Sequence, residues 1–156
     1  MPFRYLGLIF LLWLGPSCLA QAITIRVINA DDHRPIGNQS VSVTLLYEKE
    51  ETIPAKFDRN LDSKTDSNGE ARFVLPEPPP AHVDVRVRIE PGRWHCSCLL
   101  LAITQDVMNK GTVNSAASAD ELRRSPDLAK AVPGEIRFIM RPASFFERLL
   151  YPLLKQ

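Results

Sequence analysis

Apolar residues recur at every second position in five stretches of the chain: Ile23, Ile25 and Val27; Val41, Val43, Leu45 and Tyr47; Ala71, Phe73 and Leu75; Val83, Val85, Val87 and Ile89; and Ile136, Phe138 and Met140. A period of two puts these side chains on one face of an extended strand and the intervening residues on the other. Ser42, Thr44, Asp84, Arg86 and Arg88 hold intervening positions, the pattern of antiparallel strands buried on one side only. Residues 94–101 end in an unbroken apolar run and are expected to form a further, buried strand. Residues 48–64 are charged and irregular, with Ile53, Ala55 and Phe57 offering at most a short strand.

Turn chemistry separates these stretches. Asn29, Asp31, Asp32 and Pro35 turn the chain after the first strand. Asp66 suits the first position of a type I turn with Gly69 in the left-handed position behind it, while Asn68-Gly69 equally suits the centre of a type I′ turn; either closes a hairpin. Pro76, Pro78, Pro79 and Pro80 cannot donate ladder hydrogen bonds, so their segment is expected as an extended connector. Pro91-Gly92 ends the strand that starts near Val83.

Helical signals gather late. Thr104 reads as the N-cap of a short helix ending before Gly111, Ser118-x-x-Glu121 as a capping box, and Pro126 as the first turn of a third helix. Residues 103–133 therefore read as a helical or loop insertion before the last strand. The expected architecture is mainly β: an antiparallel sandwich of about seven strands spanning residues 23–142, with that insertion and a C-terminal amphipathic helix over 143–156.

Two segments carry a family resemblance. Asp32-His33-Arg34-Pro35-Ile36-Gly37-Asn38-Gln39-Ser40-Val41-Ser42-Val43 and Thr65-Asp66-Ser67-Asn68-Gly69-Glu70-Ala71-Arg72-Phe73 resemble the two halves of the carboxypeptidase regulatory-like domain, a transthyretin-like (prealbumin-like) sandwich. The likeness covers about residues 23 to 90. It implies an Ig-like two-sheet fold and a mostly non-catalytic role, because peptidase chemistry in such proteins belongs to a separate domain.

Residues 1–22 have the layout of a secretory leader: Arg4, an apolar run over residues 5–14, the breaker Gly15-Pro16, and Ala20-Gln21-Ala22 as a small-x-small site, with cleavage expected after Ala22. The apolar run is about half of the ~20 residues a membrane-spanning helix needs, which disfavours retention as an anchor. Acylation at Cys18 is weaker still, since Gly15-Pro16-Ser17 lacks the upstream leucine. Removing Arg4 leaves 18 basic residues against 18 acidic ones. With cations dispersed among acids, the chain has no nucleic-acid footprint. It is expected to be periplasmic or extracellular, with membrane association left open, and about 134 residues are available for one core.

Reaction chemistry is absent from the motifs. His33, His82 and His95 attach to no nucleophile pattern, and neither Gly-x-Ser-x-Gly nor His-Glu-x-x-His nor a phosphate-cradling glycine loop occurs. No catalytic residue and no cofactor is expected. Asp58, Asn60 and Asp62 match the first ligands of a calcium loop, but Ser63 stands where glycine is needed and Gly69 where a bidentate glutamate is needed. A solvated loop is the better reading.

Cys96 and Cys98 leave three readings open: two small buried core residues, a disulfide requiring local distortion of a strand, or a soft-metal site with His95. The last defines the alternative to a binding module, a small redox or metal-handling protein. In the tail, Ser144-x-x-Glu147 is a capping box, and Phe145, Phe146, Leu149 and Leu150 form an apolar stripe accompanied by Arg148. That stripe serves packing on the sandwich, an envelope protein partner, or a membrane surface. The sequence thus describes an exported, non-catalytic binding or assembly module of the cell envelope, with neither its ligand nor its oligomeric state legible.

Overall fold

A computed structural model describes residues 21–47, 59–89, 93–96, 98–145 and 148. Two sheets face each other. The first contains β4 (Glu70–Val74), β1 (Ala22–Asn29) and β9 (Glu135–Pro142) side by side, with β6 (Trp94–His95) and β8 (Thr112–Ser115) sharing the far side of β9. The second runs β3 (Arg59–Lys64), β2 (Ser40–Leu46), β5 (His82–Arg88), β7 (Leu99–Ile103). Most pairings are antiparallel, as expected, but β9 runs parallel to both β1 and β8.

The period-two residues meet between the sheets. Ile23, Ile25, Val27, Val41, Val43, Leu45, Phe73, Val83, Val85, Ile136, Phe138 and Met140 are buried in one continuous core. Each such side chain stabilises the fold by about 1.5–3 kcal/mol relative to exposure. Helix α1 (Thr104–Lys110) adds Val107 to this core. Thr104 is not its N-cap: Ile103 holds that place without a side-chain bond, and the Thr104 side chain is buried instead. Gly111 ends the helix at φ 73° and donates its N–H to the Val107 carbonyl. A Cβ there would lie 2.0 Å from the Val132 carbonyl oxygen.

The turn at Asp66 is of the first kind expected. Gly69 N–H donates to the Asp66 carbonyl, Asp66 Oδ1 accepts from the N–H groups of Asn68 and Glu70, and Gly69 alone of the turn residues has a positive φ. It does not close a hairpin. β3 lies in one sheet and β4 in the other, so the turn carries the chain across the sandwich. The reason lies in its flanks: before the turn Thr65 pairs with Asn38 and Gln39, and its hydroxyl donates to the Ile36 carbonyl, whereas after it Gly69 accepts from Val27 N–H. A Cβ on Gly37 would meet the Asp66 carbonyl oxygen at 2.6 Å. The two segments, residues 32–43 and 65–73, therefore pack against each other.

Residues 94–101 are likewise not one strand. The segment breaks at Cys96 and Cys98, leaving β6 in the first sheet and β7 at the edge of the second. Its apolar run is not buried as expected: Leu100 and Ala102 pack on the core, but Leu99, Leu101 and Ile103 point outward. Residues 59–64 form β3 instead of a loop, which places Asn60 and Asp62 in a ladder with β2. The short strand expected around Ile53, Ala55 and Phe57 lies outside the described residues.

The insertion contains more than helices. β8 pairs with β9, and α2 (Ala119–Arg124) starts at the Ser118–Glu121 capping box as expected. No helix follows Pro126; residues 125–130 form successive turns with three-residue hydrogen bonds. This segment covers the outer face of the first sheet, where Leu128 joins Ile28, Ala30 and Ile139 in a second small core. β9 is consequently buried on both faces from Glu135 to Met140.

Candidate functional site

Three surfaces follow from this arrangement. The first is the edge of β7 with which no strand among the described residues pairs. Val87 N–H donates to the Cys98 carbonyl and Thr104 N–H to the Ala81 carbonyl, so the even-numbered residues of this stretch hydrogen-bond to β5. By the alternation of an antiparallel ladder, the N–H and C=O groups of Leu99 and Leu101 and the N–H of Ile103 point away from β5 toward the edge, while the Ile103 carbonyl, at the N-cap of α1, is taken by the first turn of the helix. The same three side chains are 54%, 61% and 49% exposed. One edge carbonyl, that of Leu99, accepts from the Asn114 side chain on β8 at 3.2 Å.

The second surface is the outer face of the second sheet. β2 alternates between the core and solvent, so Ser40, Ser42 and Thr44 line its outside. They lie directly opposite Lys64, Asp62 and Asn60 on β3 and Arg88, Arg86 and Asp84 on β5. Short hydroxyl side chains between two rows of long ones make a groove. It is closed at one end where Thr44 Oγ1 donates to Asn60 Oδ1 at 2.7 Å and Arg86 pairs with Asp84 at 3.1 Å. Its open end, about 430 Å³ around Ser40 and Ser42, shares Ser40 and Arg88 with a neighbouring, wider depression of about 700 Å³. There the connection between β1 and β2 faces Arg93 and Trp94. The Arg93 guanidinium stacks 5.9 Å from the Trp94 ring centroid, a cation–π contact.

The third feature is structural. On the outer face of the first sheet Arg26 stands opposite Glu70 on one side and Arg137 on the other. Two arginines side by side repel, and Glu135 resolves this. It takes both Nε and a terminal nitrogen of Arg137 at 2.7 Å and faces Arg26 at 3.6 Å, while Arg26 also pairs with Glu70. The remaining Arg137 nitrogen donates to the Asp127 and Leu128 carbonyls, fastening the covering turn to the sheet. Elsewhere, the Ser118 backbone N–H and hydroxyl hold the Glu121 carboxyl below its ordinary range, the usual consequence of a capping box.

The residues singled out from sequence are distributed as follows. Cys96 and Cys98 are paired as a disulfide with their Cα atoms 5.0 Å apart, at the point where the chain leaves one sheet for the other. His95 occupies β6 opposite Arg141. Among the described residues no group of three His, Cys, Asp or Glu side chains converges as metal ligands. Phe145 is 74% exposed just beyond β9, and Arg148 Nε donates to the Ala143 carbonyl at 2.9 Å. Phe146, Leu149 and Leu150 lie outside the described residues. The β7 edge, the groove and the Glu135–Arg137 cluster are not legible in the sequence. The alternation of Ser40, Ser42 and Thr44 is visible there, but the rows beside it come from strands distant along the chain.

No family model matches this chain, and no curated protein matches it. The likeness to regulatory-like domains therefore rests on residues 32–43 and 65–73 alone. Solved structures with some similarity include the shaft pilin SpaA from Lactobacillus rhamnosus GG, at 9% identity over 80% of this chain and 52% of that one, with a TM-score of 0.46. The full-length major pilin SpaD from Corynebacterium diphtheriae matches at 12% identity over 80% of this chain and 30% of that one, with a TM-score of 0.45. The 3-chlorocatechol 1,2-dioxygenase from Rhodococcus opacus 1CP matches at 13% identity over 83% and 63%, with a TM-score of 0.40. The chain spans about half the length of the SpaA shaft pilin. Likeness this distant assigns neither a family nor an activity.

Proposed function

We propose that this chain is an exported, non-catalytic β-sandwich module of the cell envelope that assembles with a partner by strand addition at β7. The observation that carries this reading is the coincidence along β7 of backbone groups directed at the edge, both of those of Leu101 and the N–H groups of Leu99 and Ile103, with the exposed apolar side chains of all three residues beside them. An edge of this kind is a template for another strand, and natural sandwiches usually blunt it with charge or proline. β7 carries neither. The occupant that satisfies it is an extended segment with apolar side chains at alternate positions, held by main-chain hydrogen bonds and read by side-chain packing. The exposed Phe145 and the tail behind it, with Phe146, Arg148, Leu149 and Leu150, supply a second attachment to an envelope protein or a membrane surface.

A photo-crosslinker at position 101 in producing cells tests this. It should give an adduct mapping to an extended, period-two apolar segment of an envelope protein, and Leu99→Lys with Ile103→Lys should abolish that adduct while leaving the unfolding midpoint within a few degrees. Equal adducts from position 86, on the same face but off the edge, would show that β7 is not the docking element.

A further inference from the structure

We infer that the strand added at β7 is the β7 of a second copy of this chain, joined edge to edge about a two-fold axis at Leu101; this rests on the reading of β7 as a docking edge and supplies its occupant. A two-fold axis across an antiparallel pair demands a strand that is its own complement. One residue must face itself, and its neighbours must match in reverse order. β7 meets both demands. Leu101 is the middle of its five residues and directs both its N–H and its C=O at the edge, so it can exchange two hydrogen bonds with Leu101 of the second copy. Leu99 then faces Ile103 of the second copy, apolar against apolar. The ends of the edge limit what else could pair with it. The Leu99 carbonyl already accepts from Asn114, and the Ile103 carbonyl from the first turn of α1. Each keeps a second lone pair, but the strand gives way to α1 on one side and to the Cys96–Cys98 disulfide on the other. A long peptide would gain no ladder beyond these three residues. An equally short strand held on a folded sandwich is already extended, and so loses little conformational entropy on pairing.

Charge decides which edge meets which. β3, at the other end of the second sheet, carries Arg59, Asp62 and Lys64, and β4, at one end of the first, carries Glu70 and Arg72. Charges of this kind oppose strand addition. β7 has none, and the whole chain carries a formal charge of only +1, so two copies meet there without repulsion. Pairing β7 with β3 or β4 of another copy would set apolar side chains beside charged ones and would propagate as an open chain. β7 on β7 closes after two copies. The two four-stranded sheets then become one continuous sheet with the β7 strands at its centre. Leu99, Leu101 and Ile103 of both copies gather in one stripe on its outer face.

Sedimentation equilibrium of the exported chain, from micromolar to submillimolar concentration, tests this. Monomer and dimer should be present and no larger species. Leu101→Lys and Leu101→Glu each place like charges opposite themselves, and each should weaken dimerisation at least tenfold. Mixing the two variants in equal amounts should restore a dimer containing one of each, because residue 101 faces itself only in an isologous contact. Leu101 is exposed in the single sandwich, so the unfolding midpoints of both variants should stay within a few degrees of the parent. Arg86→Glu, on the same face but off the edge, should leave the dimer unchanged. A chain that stays monomeric at submillimolar concentration overturns the inference, as does a dimer that survives either variant or a mixture of the two that stays monomeric. If the crosslinker at position 101 meanwhile labels a different envelope protein, the docking edge stands and only its occupant is wrong. If position 101 labels nothing that position 86 does not, the edge itself falls.

Discussion

Arg137 and Glu135 stand two residues apart on β9 with their side chains joined at 2.7 Å, each about nine-tenths buried. Through the same guanidinium, Arg137 holds the Asp127 and Leu128 carbonyls. One side chain thus ties the central strand to the segment that covers it. Replacing Arg137 by Met should destabilise the protein by about 3–5 kcal/mol, because Glu135 is left as a buried carboxylate with only Arg26 nearby. Glu135→Gln combined with Arg137→Met should cost clearly less than the single change, as read from urea denaturation of both variants.

Val85 and Arg86 are neighbours with opposite fates. Val85 is fully buried between the sheets, while Arg86 lies on the outer face. Val85→Asp should unfold the domain, since an unpaired buried carboxylate costs several kcal/mol, comparable to the whole stability of such a fold. Arg86→Glu should shift the thermal midpoint little. Equal effects from the two substitutions would contradict the strand orientation.

The pairing of Cys96 with Cys98 closes a loop of one intervening residue, so the chain entropy it removes is small, worth about 1.5 kcal/mol. A Cys96→Ser, Cys98→Ser variant should keep the sandwich and melt only slightly earlier. Thiol titration of the purified protein should find no free thiol at these positions before reduction. Stoichiometric zinc or copper that disappears in the double variant would instead favour a metal-handling role.

The tail beyond β9 is expected to attach the module and not to complete its core. Cutting the chain after Pro142 should leave the sandwich folded and abolish co-sedimentation with envelope fractions, and Phe146→Asp with Leu150→Asp should do the same. Binding that weakens with salt would implicate Arg148 at an anionic membrane, while salt-insensitive binding would indicate a protein groove. A truncated chain that is fully stable and still normally localised would remove the attachment role.

Much of the framework is legible in the order of the residues. Alternation at Ile23, Val41, Ala71, Val83 and Ile136 and their successors marks five strands because burial on one face imposes a period of two on any strand, wherever it lies. The Asp66–Gly69 turn and the Ser118 capping box are equally local: each needs only a side-chain oxygen or a left-handed glycine within a few residues. What surrounds a strand is not local. Leu99, Leu101 and Ile103 read as core because an apolar run looks the same whether it meets the protein's own interior or the outer face of an edge strand. Only the sheet order, which leaves β7 with β5 on one side, separates the two. Whether a turn closes a hairpin or carries the chain across a sandwich is likewise decided at a distance, by Thr65 pairing with Gln39 and Gly69 with Val27. The groove and the Glu135–Arg137 cluster depend on registers between strands tens of residues apart. Inward-facing positions on most strands, and the place of several turns, follow from chemistry within a few residues. Which strands become neighbours, and with that which side chains meet a ligand, follows only from how the two sheets assemble.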